Sequence, residues 1–171
     1  WWDEYTSHVY LGVSSLPEFL SLNRTLDPLT LPAYYCLEYL WTHYVQDSVL
    51  SLRLMSIGIG LATMPLVYAL GRRFYGPRAG LVAAALVALS PVHIHHSQGI
   101  RMYVLFVFLV VAAVWSFVQL LDRPRSGWWV LHGLVSVLLY WTHPFAGLVP
   151  AVLGAFLVLR YRSRKWLFWC W

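Results

Sequence analysis

Charge is scarce in this chain. Only 11% of its residues are Asp, Glu, Lys or Arg, and 60% are hydrophobic. An ordinary soluble domain carries about 25% charged residues, so the shortage excludes a water-soluble globular domain and points to an integral membrane protein. The few cations form no continuous face. They gather in short clusters between apolar runs, so the net charge of +5 reads as a topology signal rather than a nucleic-acid surface, and no nucleic-acid partner is expected. Cysteine is nearly absent. Cys36 and Cys170 stand far apart, fit no metal-ligand spacing and give no basis for a disulfide. There is no internal repeat and no low-complexity tract, which counts against a transporter built from duplicated halves. The chain opens without Met or a basic leader, and it closes on "KWLFWCW", which reads like the first turns of another span. The expectation is a piece of a longer polytopic protein, beginning just after a first span.

What is present falls into two regions. Residues 1–47 are mixed in character, and residues 48–171 are apolar runs broken by basic clusters. Runs of about 20 apolar residues are candidate spans. Five are predicted, near 49–70, 79–94, 102–121, 128–142 and 145–159, followed by the start of a sixth. The second, fourth and fifth are short and call for tilt or local thinning of the bilayer. The fold class expected is therefore an all-α, polytopic transmembrane helical bundle.

The arginines orient it. "GRRFYGPR", "DRPRSG" and "RYRSRK" hold Arg72, Arg73, Arg78, Arg123, Arg125, Arg160, Arg162, Arg164 and Lys165, whereas the alternate side holds only Arg24, Arg53 and Arg101. Positive residues stay cytoplasmic. The N-terminal region, "HIHHSQGIR" and the "THP" turn then share the outer side, where three polar segments distant in sequence can build one site.

Two amphipathic helices are predicted in the first 47 residues. Tyr5, Val9, Gly12 or Val13, and Leu16 recur at helical spacing, with Pro17 expected to end the run. Tyr34, Leu37, Trp41 and Tyr44 form a second stripe, with Glu38 and Gln46 off it and Pro32 suited to its first turn. Both are too short and polar to span and suit the headgroup plane. "NRTLDPLT" between them reads as a turn-rich connector.

The candidate chemistry lies on that outer side. Asp3 and Glu4 are adjacent, so on a helix they point about 100° apart and cannot both face one reacting atom. One can meet a hydroxyl while the other orients a neighbour; the alternative is a helix cap. Arg101, in "SQGIRMY", sits where the chain enters hydrocarbon, a costly place for a cation without an anion or water. It can clamp a lipid phosphate through its planar fork or snorkel to the headgroups. Arg53, about one turn inside its span, has the same two readings or a buried ion pair with Asp47 or Glu38. His93, His95 and His96, with His143 on the same side, are weak metal candidates because their spacing matches no strong zinc motif; hydrogen-bonding or phosphate-contacting roles fit them better. His132 and His43 read as structural, and Pro65 and Pro91 as kinks or span ends.

The order of these features carries a resemblance. An Asp-Glu pair, then "LPAYY", "SLRLMS", "GRRFYGPRAG", "ALSPVHIHHSQGIRMY" and "YWTHPFAGL" together resemble the N-terminal part of a GT-C glycosyltransferase. The similar branch is the family 39-like group of protein O-mannosyltransferases and the lipid A aminoarabinose transferase. The resemblance implies an enzyme of the cell membrane that moves a sugar, with inversion, from a polyprenyl-phosphate donor to a lipid, glycan or protein acceptor on the periplasmic, extracellular or lumenal face. It implies Asp3 as general base and Glu4 as its supporting acid. Arg101 becomes the donor-phosphate residue, with Tyr103, Gln98, Arg53 and His143 as further donor-site candidates. Tyr34 and Tyr35 match the aromatic pair after the family's proline. No cofactor is required by it, a divalent metal being the lesser alternative.

One departure stands out. Relatives often carry Lys-Pro or His-Pro-Pro at the second amphipathic helix, and this chain has Leu31-Pro32-Ala33. Asp27-Pro28 lies upstream with the wrong sign, so phosphate recognition falls to Arg101, Arg53 or a histidine. Two rival readings from other classes are a multi-pass transporter, which would place polar groups at mid-membrane, and a non-catalytic membrane scaffold, which would leave Asp3, Arg101 and His143 scattered.

Overall fold

A computed structural model describes residues 15–26 and 32–161. Among the described residues the protein is helical, with no strand. The helices are α1 (Leu16–Leu26), α2 (Ala33–Tyr44), α3 (Val49–Tyr75), α4 (Pro77–Ala88), α5 (Pro91–Gln98), α6 (Tyr103–Asp122), α7 (Ser126–Tyr140) and α8 (Leu148–Tyr161), with a 3₁₀ turn at Pro144–Gly147 before the last. By length and composition α3 and α6 can each cross a membrane, while α4 and α5 qualify only together, bent by 58° at their break. The helices α7 and α8 are apolar but shorter; the 15 residues of α7 span about 22 Å against a hydrocarbon core of about 30 Å.

The long helix α3 is the hub, packing against α2, α4, α5 and α6. It runs through Pro65 without a break, although proline removes one ladder donor and crowds the preceding turn. Gly76 then turns the chain with a φ of +89°, a conformation that glycine adopts without a Cβ penalty. The following helix folds back so tightly that Gly71 and Gly80 face each other. A Cβ on Gly80 would lie 2.6 Å from the Tyr68 carbonyl and 2.8 Å from the Arg72 amide. Gly80→Ala therefore forces α3 and α4 apart and is expected to cost about 1–3 kcal/mol, read as a lowered melting temperature in detergent. Gly127→Ala, where the added methyl meets nothing within 4 Å, is the matched control and should not melt lower.

The helix of the second predicted span breaks within 79–94, at the proline read from the sequence as a kink or span end. Pro91 keeps Ser90 extended (φ −67°, ψ 120°), and the Ser90 side chain accepts from the His93 amide to start α5. Near the N-terminus, Pro17 sits in the first turn of α1, where its missing N–H costs nothing. Asn23 to Leu26 are the last residues of that helix rather than part of a connector. The helix expected over 5–16 lies outside the described residues apart from its last positions, and the sixth span's start lies wholly outside them.

The described helices hold their polar groups by local pairing. Between α6 and α7 the buried His132 Nδ1 and Ser116 Oγ are 2.9 Å apart, and Ser116 also donates to the Ala113 carbonyl. Such pairing is what a polar residue inside a membrane bundle requires. At the arginine-rich end Arg73 makes a two-pronged ion pair with Asp122, each contact 2.7 Å, joining α3 to α6.

Candidate functional site

The opposite end is assembled around α2. Pro32 precedes the helix, so its first amide donors lack internal partners. The Ala33 N–H finds the Trp141 carbonyl at 3.0 Å, tying α2 to the end of α7. Trp41 Nε1 donates to Ser51 Oγ at 2.8 Å, and Tyr34 Oη lies 3.4 Å from Ser56 Oγ, tying α2 to α3. Tyr34 and Tyr35 are fully buried and meet edge to face with centroids 5.8 Å apart, a geometry worth about 0.5–1.5 kcal/mol beyond area burial. Leu52, Met55, Ile100 and Met102 complete this cluster.

Arg101 enters the cluster from the α5–α6 connection. Its Nη1 donates to Tyr35 Oη at 3.3 Å. Tyr34, Tyr35 and Glu38 share one face of α2 through i, i+3 and i, i+4 spacing, and all three are buried. Neither carboxylate oxygen of Glu38 has a hydrogen-bond partner among the described residues. Burial pushes the Glu38 carboxyl up to about 8, and the positive charge of Arg101 draws it back only in part. Burial, and then the nearby Glu38, also push the Tyr34 phenol upward. A carboxyl in so apolar a setting keeps its proton at neutral pH because ionisation would strip it of water without supplying a donor.

A row of rings lies beside this cluster. His95 and His96 are 5.3 Å apart by centroid, His96 and Tyr103 are 4.9 Å, and Tyr103 and His143 are 6.2 Å. His143 also packs on Phe106 at 4.8 Å, and its Nδ1 accepts from the Phe145 amide, closing the "THPF" turn. His93 faces elsewhere, with Nε2 3.3 Å from the Gly60 carbonyl on α3. Among the described residues no three His, Cys, Asp or Glu side chains are placed to hold a metal ion, so His93, His95 and His96 do not converge as a ligand set. Between α2, α3 and α6 runs an apolar cleft of about 330 Å³, lined by Leu37, Trp41, Met55, Gly58, Leu105 and Phe108. It shares Met55 with the buried cluster.

The sequence-based candidates thus divide. Arg101 and Tyr35 touch, Tyr34 lies behind them, and Tyr103 and His143 share the ring row. Gln98 is exposed at the end of α5, where with His93 and Ser97 it lines a second cleft of about 210 Å³ against α3. Arg53 is exposed, and Asp47 is exposed as well. His43 is exposed too and stacks on Tyr39. Asp3 and Glu4 lie outside the described residues. The residue that sequence reasoning placed wrongly is Glu38, which is buried against Tyr34 and Tyr35 instead of standing off the packed stripe.

Comparison with known proteins adds one positive finding. The family model described as dolichyl-phosphate-mannose-protein mannosyltransferase matches residues 28–169. No curated protein and no solved structure matches the chain.

Proposed function

Because this chain belongs to the dolichyl-phosphate-mannose-protein mannosyltransferase family, a family of membrane glycosyltransferases, we propose that it acts on a polyprenyl-phosphate sugar. The acceptor is a hydroxyl of a lipid, glycan or protein on the non-cytoplasmic side, and transfer inverts the anomeric centre. The observation that carries this reading is the meeting of Arg101 with Tyr35, which packs in one cluster with Met55, a residue that also lines the apolar cleft. A cation there suits the phosphate, and the cleft suits the first isoprene units of its lipid. The ring row of His96, Tyr103 and His143 supplies flat and polar edges for the sugar and its diester.

The chemistry needs little from the protein beyond position and charge. A base takes the acceptor proton as the acceptor oxygen attacks C1. The C1–O bond to phosphate breaks, and its electron pair leaves on the phosphate oxygen. One displacement inverts C1. The phosphate is a competent leaving group, so the protein contributes the base, a clamp for the departing negative charge and alignment of the two reactants. We assign the base to Asp3 with Glu4 in support, by the family pattern, and the clamp to Arg101.

The test is direct. Full-length protein in lipid vesicles, supplied with labelled dolichyl phosphate mannose, should release dolichyl phosphate as label moves to an endogenous acceptor hydroxyl. GDP-mannose without the lipid donor should give no transfer. Transfer from the nucleotide sugar alone would overturn the assignment of donor.

A further inference from the structure

We propose that Glu38 is a positioning residue that governs how much of the Arg101 charge reaches a phosphate bound beside α2. The inference rests on the reading of Arg101 as the donor-phosphate residue. Its basis is geometric. The Glu38 side chain is 1% exposed and its two oxygens have no hydrogen-bond partner among the described residues. It shares one face of α2 with Tyr35, whose hydroxyl accepts from Arg101. A buried carboxyl with nothing to bond, one helical turn from the tyrosine that touches a candidate phosphate clamp, is an expensive group to keep for packing alone. A leucine or methionine would fill the same space at lower cost.

Among the described residues the charged and titratable groups around it are few. Tyr34 and Tyr35 lie on its own helix, and Arg101 reaches in from the α5–α6 connection. On α1 Glu18 is exposed, and on α3 Arg53 is exposed and Ser56 is neutral. With its proton on, Glu38 leaves the guanidinium field intact for a phosphate. With its proton off, a buried carboxylate competes with that phosphate for the same cation, in surroundings where water screens poorly. Ionisation is set to occur near pH 8. Phosphate affinity is therefore high below that pH and falls as the pH rises through it.

The experiment uses full-length protein in nanodiscs with dolichyl phosphate as the probe, its affinity followed by tryptophan fluorescence at pH 7 and pH 9. Wild type should bind about fivefold more weakly at pH 9, consistent with a buried charge acting on a nearby cation. Glu38→Gln, which keeps the volume and cannot ionise, should match wild type at pH 7 and show no such fall. Glu38→Asp should restore a fall. Glu38→Gln should also melt no lower than wild type at pH 7, since it removes the cost of protonating, on folding, a carboxylate that is ionised in the unfolded chain.

Failures separate cleanly. If Arg101→Ala binds dolichyl phosphate as wild type does, or if wild type does not bind it, the phosphate reading itself fails. If Arg101→Ala weakens binding and Glu38→Gln keeps the wild-type pH profile, only the role of Glu38 is overturned. A Glu38→Gln protein that loses affinity equally at both pH values would make Glu38 a packing residue and would also overturn the proposal.

Discussion

Arg101→Ala is expected to raise the donor KM by about 10- to 100-fold, the scale on which a charge-assisted hydrogen bond to an anion is lost. The kcat should fall as well, because negative charge on the phosphate grows as the C1–O bond breaks and the guanidinium counters it most strongly then. Arg101→Lys keeps a cation but loses the planar fork, so it should recover part of the affinity and not all of it. Arg101 also donates to the Tyr35 hydroxyl, and a purely structural role would act through that bond. Tyr35→Phe removes the bond and leaves the charge. It should change the donor KM less than about threefold, because the guanidinium keeps its charge for the phosphate. A Tyr35→Phe effect as large as that of Arg101→Ala would mean that the arginine only braces the tyrosine. In steady-state assays with varied lipid donor, an unchanged KM in Arg101→Ala would remove the clamp from the mechanism.

The parts of this architecture that were readable in the sequence are those with one dominant local cause. Twenty apolar residues without charge gave α6 to within a residue of its ends. Pro32 followed by a helical stripe placed α2. The convergence of three polar segments followed from counting arginines, and the contacts of Ala33 with Trp141, Tyr35 with Arg101 and Tyr103 with His143 bring those segments together. What failed depended on tertiary surroundings. The stripe of Tyr34, Leu37, Trp41 and Tyr44 assumed that α2 packs along one narrow face. Tyr44 at its end is 76% exposed, while Glu38 is buried. The packed face is rotated toward Tyr34, Tyr35 and Glu38 by the loop that carries Ile100 and Met102. The spacing of those three residues contained the signal, but a carboxylate on a polar helix has a soluble face as its default reading. By contrast, the break in the second predicted span falls at Pro91, where the sequence reads a kink or span end, and its two helices are apolar enough for a span only together.

The largest loss of turnover is expected from Asp3→Asn in the full-length protein, because a positioned general base contributes about 10²–10⁴ in rate. Two explanations for an acid at that position must be told apart, the base and the helix cap. Asparagine caps a helix about as well as aspartate, so Asp3→Asn preserves the cap while removing the proton acceptor. Asp3→Ala removes both. The base reading therefore predicts that the two variants lose kcat alike and that Asp3→Asn keeps wild-type thermal stability, membrane insertion and donor KM. The cap reading predicts nearly unchanged turnover in Asp3→Asn, with Asp3→Ala alone destabilised by about 0.5–2 kcal/mol. Glu4→Gln should cost less than Asp3→Asn, since its assigned part is to orient and not to take the transferred proton. Turnover at the wild-type rate by Asp3→Asn would move the base to another residue.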